Sequence, residues 1–195
     1  MGARAASAAQ TRVRILDASR DLFLAHPYGD VTLQRIADAA GVSLPTVALH
    51  FGSKEGLLSA AVERFRPQED AAREVLPGDV DTAVRVVCAR YEELGPATMR
   101  FLALEEGTPA VRPLLDAGRA SHRDWVERTF AGAIRRAGAQ AARRRRAMQL
   151  LAATDLYTWH VLRRVLGPDD TVRAMADTVH AIVGADGARK KRRGS

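Results

Sequence analysis

The stretch from Thr32 to Gly52, TLQRIADAAGVSLPTVALHFG, constrains the fold more than any other part of the chain. Leu33, Ile36, Ala37 and Ala40 recur at i, i+3, i+4 and i+7, which is one face of a helix, with Thr32 where an N-cap belongs and Gly41 as the stop. Ser43 offers a second cap, Pro45 fits a first helical turn because an N–H there has no intrahelical partner, and Gly52 closes the segment after Phe51. Two short helices around the Ala40-Gly41-Val42 turn make a helix-turn-helix, a geometry whose second helix enters the DNA major groove. Ile36, Ala37, Val42, Val47 and Phe51 form its expected core, so Leu44, Pro45, Thr46, Ala48, Leu49 and His50 are left facing outward.

The same periodicity extends in both directions. Val13, Ile15, Leu16, Leu22, Phe23 and Leu24 predict a first helix over Arg12–Leu24, stopped by Pro27-Tyr28-Gly29-Asp30. Residues 1–9 are small and polar and are expected to be a flexible arm, with order beginning near Gln10. Ser53 opens a longer helix through Leu57, Leu58, Ala61 and Phe65 that ends or kinks at Pro67. Helical patterning then covers roughly 80–94, 97–106, 110–137, 141–166 and 169–184, broken at Gly95-Pro96, Gly107-Thr-Pro109, Gly138 and Gly167-Pro168. No strand alternation occurs, so the expected fold is all-α. A helix-turn-helix domain over 10–53 precedes a larger helical domain over 54–184 and a basic, disordered tail over 185–195.

Composition sets limits on function. Apolar residues at 47% and charged residues at 27% indicate an ordinary globular protein, and no apolar run reaches the roughly 18–20 residues of a membrane span. The start, MGARAASAAQTRVR, lacks an apolar signal region, so a cytoplasmic protein without a membrane partner is expected. The net charge of +7 is a weak pointer to DNA, because the Arg189–Arg193 run carries five positive charges. Arg143–Arg146 is read as a solvated helix face, and Cys88 as a small buried hydrophobe. The histidines are scattered, metal-ligand spacing and a nucleophile elbow are missing, and Gly52-Ser-Lys-Glu-Gly56 does not have phosphate-loop spacing. Neither an enzyme nor a bound metal or cofactor is expected.

Over RILDASRDLFLAHPYGDVTLQRIADAAGVSLPTVALHFGSKEGLLSAAVERF the chain resembles the DNA-binding domain of the TetR (tetracycline repressor) family. Ala18, Phe23, Gly29, Thr32, Ile36-Ala37, Ala40-Gly41-Val42-Ser43, Thr46, Phe51, Ser53-Lys54-Glu55 and Leu57-Leu58 carry the resemblance in order. It implies phosphate contacts from Thr32, His50 and Lys54, base-edge contacts from Leu44, Pro45, Thr46 and Leu49, and Ser43 as part of the same DNA-binding surface. Ala48 stands where members usually carry tyrosine, and Leu49 where a polar or basic residue is common. Neither can donate a hydrogen bond, so contacts with thymine methyl groups and readout of DNA shape are expected to weigh more.

The resemblance also implies a repressor that binds operator DNA as a homodimer and is released by a small-molecule effector of unknown identity. Leu150, Leu151, Leu156, Tyr157, Trp159, Val161, Leu162 and Val165 make the segment 147–166 apolar on more than one side, which requires a partner beyond its own domain. The family pairs its last two helices in a four-helix interface, and Leu151, Leu162, Val172, Met175, Val179, Ile182 and Val183 are the candidates for it. Candidate effector-pocket residues are Cys88, Tyr91, Met99, Leu102, Glu105, Trp125, Phe130, Tyr157, Trp159 and His160. A helical adaptor that has lost DNA binding is the competing reading, motivated by Ala48 and Leu49.

Overall fold

The computed structural model describes the backbone of residues 2–193; the side chains of residues 3, 4 and 186–193 lie outside the described set. All its regular elements are helical: α1 (Gly2–Ala25), α2 (Leu33–Ala40), α3 (Leu44–Phe51), α4 (Lys54–Ala72), α5 (Val80–Leu102), α6 (Arg112–Thr129), α7 (Ala131–Arg136), α8 (Gln140–Ala153), α9 (Leu156–Arg163) and α10 (Pro168–Arg193). Residues 1–69 with 96–118 form one compact unit, and residues 70–95 with 119–195 a second.

The first unit closes around Ile15, Leu16 and Phe23 of α1, Tyr28, Val31, the inner faces of α2 and α3, and Leu57, Leu58 and Ala61 of α4. Phe101, Val111 and Leu115 complete this core. Burial of each large apolar side chain contributes roughly 1.5–3 kcal/mol. Phe23 stacks on Tyr28 at 5.9 Å, and Phe101 meets Phe23 edge-on at 6.3 Å. The local signals act as their chemistry requires: the Thr32 hydroxyl accepts from Arg35 N–H, Ser43 accepts from Thr46 N–H, and Gly41 takes the left-handed φ of 64° that ends α2.

In the second unit Val84, Val87 and Cys88 of α5 pack with Trp125, Val126, Phe130, Leu150, Trp159, Met175 and Val179, all of them buried. The Cys88 thiol lies 3.5 Å from Met175 Sδ, and desolvation pushes its pKa up to about 12, so it packs as the expected inert hydrophobe.

Several boundaries depart from the sequence expectations. Helix α1 begins at Gly2 rather than near Gln10, in keeping with the helix propensity of Ala5, Ala6, Ala8 and Ala9. Helix α4 runs through Pro67, which is exposed, so the carbonyl freed from its hydrogen bond is left to solvent. Helix α5 passes through Gly95-Pro96 unbroken: the Trp159 ring packs so close to Gly95 that a Cβ there would stand 2.7 Å from Trp159 Cζ3. Tertiary packing overrides the breaker signal.

The expected 110–137 helix breaks at Phe130, where the Thr129 carbonyl accepts from Gly78 N–H at 2.9 Å. The expected 141–166 helix breaks at Thr154-Asp155, because the Asp155 side chain turns back to accept from Tyr157 N–H and starts α9 afresh. Arg146 is buried rather than solvated, whereas Arg143, Arg144 and Arg145 are exposed. Helix α10 continues to Arg193, beyond the expected stop at Gly184, so residues 185–193 are helical where a disordered tail was expected; residues 194 and 195 lie outside the described residues. No helix among the described residues is long and apolar enough to cross a membrane.

Candidate nucleic-acid interface

Helix α3 is anchored by one face and open on the other. Val47 is fully buried, Phe51 and Val42 are half-buried against the core, and Ser43, Leu44, Pro45, Ala48 and Leu49 are exposed, Leu49 to 85%. Its C-terminal end rests on Gly56 of α4, where a Cβ would collide with the Phe51 carbonyl oxygen. Arg12 of α1 holds the same end: its guanidinium lies 4.5 Å over the Phe51 ring and donates to the His50 carbonyl at 3.4 Å. A cation at a helix C-terminus complements the dipole. The sequence reading did not single out Arg12; nothing in the local spacing of α1 signals a contact made 38 residues away.

The polar candidates lie around that face. Thr32 is exposed, and because its oxygen accepts from Arg35 N–H, its O–H remains free to donate to a phosphate. Ser43 and Thr46 share a 2.8 Å hydroxyl hydrogen bond, which leaves one hydroxyl proton between them for an outside acceptor. Lys54 is half-buried and held in place: its Nζ donates to the Tyr28 carbonyl at 2.9 Å and sits 4.0 Å over the Tyr28 ring, with two further N–H donors remaining. Tyr28 itself donates to Glu55 at 3.1 Å; burial and that carboxylate push its pKa up to about 12. His50 is half-buried, its ring 6.0 Å from that of Phe51.

The other candidates scatter. Met99, Leu102 and Glu105 belong to the first unit, and Cys88, Tyr91, Trp125, Phe130, Tyr157, Trp159 and His160 to the second. Within the second unit, Tyr91 meets Trp159 at 5.8 Å and Trp125 meets Phe130 at 5.9 Å, but Tyr157 is 52% exposed. Met175 and Val179, expected at a dimer face, are fully buried in their own unit, Met175 beside Cys88 of α5. Leu151, Leu162, Val172, Ile182 and Val183 are half-buried. The open apolar stripe is instead Tyr157, Val161 (63%) and Val165 (79%). The i, i+4 spacing of Tyr157 and Val161 was the available signal; Val165 lies in the turn after α9.

An all-helical chain whose first unit presents a capped helix-turn-helix, with the outward face of α3 unused by its own core, is a helix-turn-helix protein. Residues 15–61 match the model of the bacterial regulatory proteins of the tetR family. That stretch, about a quarter of the chain, is therefore similar to the N-terminal DNA-binding domain of the TetR family. It is 46% identical over 52 residues to the HTH-type transcriptional regulator AlkX of Mycobacterium tuberculosis, covering 27% of this chain and 25% of that one. Over 66 residues it is 43% identical to the HTH-type transcriptional regulator SrpR of Pseudomonas putida, covering 33% and 31%. The chain thus spans about a quarter to a third of the length of these relatives. Among solved structures, SCO7518 from Streptomyces coelicolor A3(2) matches over 87% of this chain and 98% of its own, with a TM-score of 0.61 at 27% identity. A SmeT–triclosan complex matches over 90% and 91%, with a TM-score of 0.64 at 23% identity, a likeness of fold.

Proposed function

We propose that this chain is a cytoplasmic, homodimeric transcriptional regulator that reads operator DNA through α3, a repressor that leaves the operator when a small-molecule effector binds. The observation that carries the reading is the outward face of α3, where Leu44, Pro45, Ala48 and Leu49 are exposed while Val47 and Phe51 anchor the helix from beneath. Thr32 and Lys54, each at the start of a neighbouring helix, supply donors where a phosphate gains from the helix dipole. Leu49 and its neighbours suit thymine methyl groups, and Thr46 adds a hydroxyl.

Dimerisation is supported by three exposed apolar side chains, Tyr157 and Val161 on α9 and Val165 in the turn that follows it, of the kind an interface covers. Ligand response is supported by the helical second unit and by a fold neighbour that is a complex with triclosan. Helix α5 supplies residues to both units. Release follows when effector binding alters the spacing of the two α3 helices, which must fit consecutive major grooves about 34–36 Å apart.

The test is fluorescence anisotropy against DNA from immediately upstream of the chain's own gene and against a scrambled duplex, with and without residues 188–195. A preference of about a thousandfold that survives loss of the tail supports specific reading. Equal affinity for both duplexes, vanishing with the tail, overturns it in favour of an adaptor. A small molecule that binds the second unit and leaves operator affinity unchanged removes the release step.

A further inference from the structure

His122 of α6 is buried in the second unit and takes no part in the DNA-facing chemistry. Its hydrogen bonding follows from a neighbour with a single proton. The Thr154 hydroxyl donates to the Leu150 carbonyl at 2.9 Å, so towards His122 Nε2, at 3.2 Å, it can only accept. Nε2 therefore carries the ring proton and Nδ1 is a bare lone pair. That Nδ1 is shielded from solvent, and no donor of the described residues reaches it. Burial, reinforced by the nearby Arg73 charge against the opposing Asp155, pulls the ring's pKa down to about 4, so the acceptor persists at neutral pH.

The surroundings define what it can accept from. Trp125 stacks on the His122 ring at 5.5 Å and is itself fixed by donating to the Arg73 carbonyl at 2.7 Å. Arg73 is paired with Asp70 at 3.0 Å, so its charge is already matched. With Arg73 matched by Asp70, the site has no unpaired charge for a charged ligand to meet, and an anion without a proton has none to give. Left over is a neutral donor with a flat apolar body.

We propose, building on the effector-responsive reading above, that His122 is an effector-recognition residue whose Nδ1 accepts the hydroxyl hydrogen bond of a neutral phenol lying against Trp125. Thr154 is then a positioning residue that fixes the tautomer. It also ends α8, next to the Asp155 cap that begins α9, so the site adjoins the start of the helix bearing Tyr157 and Val161.

The experiment titrates the full chain with phenol and with anisole, which keeps the ring and lacks the donor. Calorimetry reads affinity, and nitrogen NMR of histidine-labelled protein reads His122 Nδ1. Phenol is expected to bind at least about tenfold tighter than anisole, the loss expected when a buried acceptor is left without its donor. It should also move the Nδ1 resonance in the hydrogen-bonded direction, and His122→Phe should erase the phenol preference. Equal affinities, no binding of either, or an Nδ1 already hydrogen-bonded to water and unmoved by phenol would overturn the assignment. The NMR arm needs no variant, so it stands even if His122→Phe fails to fold. Phenol binding as described, with operator affinity unchanged in anisotropy, would uphold the site and defeat the release mechanism alone.

Discussion

Helices α3 and α9 are both eight residues long, both begin at a side-chain N-cap, and both expose apolar side chains to solvent. Their rims differ. Around α3 the polar groups keep unused donors: the Thr32 hydroxyl, one proton of the Ser43–Thr46 pair and two N–H bonds of Lys54. Beside α9 the charge is satisfied internally, with Arg163 donating to Glu92 at 2.6 Å, a contact that raises the arginine pKa, and Trp159 donating to the same carboxylate at 3.3 Å. An apolar face ringed by spare donors suits a polyanion with methyl groups in its groove. One ringed by self-paired charges suits a second apolar surface.

The sharpest way to break this contrast is to charge the exposed apolar positions of α9 and the turn after it. Val161→Glu with Val165→Glu should convert dimer to monomer by sedimentation and weaken operator binding on the order of a thousandfold, since half-sites then bind singly. Helix content should stay constant, because both side chains are exposed. If the variant stays dimeric, the stripe is not the interface.

Acid should act next, on the second unit through His122 of α6. The folded pKa of His122, about 4, lies below the ordinary value of 6.5, so the unfolded chain binds more protons between them. Stability from this group is complete above about pH 6.5 and falls by roughly 3 kcal/mol as pH drops to 4. Denaturant midpoints should trace that fall, and His122→Phe should flatten it. An unchanged slope in the variant would show that the acid sensitivity lies elsewhere.

On the other side, Gly56→Ala forces a methyl group into the Phe51 carbonyl and should lower stability by about 2 kcal/mol. Operator affinity should fall beyond the fraction unfolded, because α3 is displaced. The smallest effect expected is for Leu49→Ala, which should lose about fivefold in operator affinity with no change in melting temperature. Replacing the operator's thymines with uracil should reproduce that loss in the parent chain and add nothing to it in the variant. Additive losses would mean that Leu49 reads something other than methyl groups.

The same contrast governs what the sequence reveals. Thr32, Gly41, Ser43 and Gly52 act within a few residues of where they stand, so the helix-turn-helix was legible, as was the all-α class. Family resemblance covers the same short region. In the second unit the deciding contacts bridge long separations: Cys88 with Met175, His122 with Thr154, Gly95 with Trp159. No local pattern encodes them, so Met175 and Val179 read as a free face although they are buried, and Tyr157 as a pocket residue although it is exposed. The contact of Arg12 with the end of α3 is long-range in the same way.

The near-independence of the outward face of α3 from the core has an evolutionary meaning. Leu44, Pro45, Ala48 and Leu49 are exposed and support none of the buried core, so substitutions there stay close to neutral for folding. Drift at these positions therefore changes which DNA is preferred without first eroding the fold. Gly56 and Val47 allow no such latitude. A lineage of such chains can diversify its targets one residue at a time, while the frame that presents those residues stays fixed.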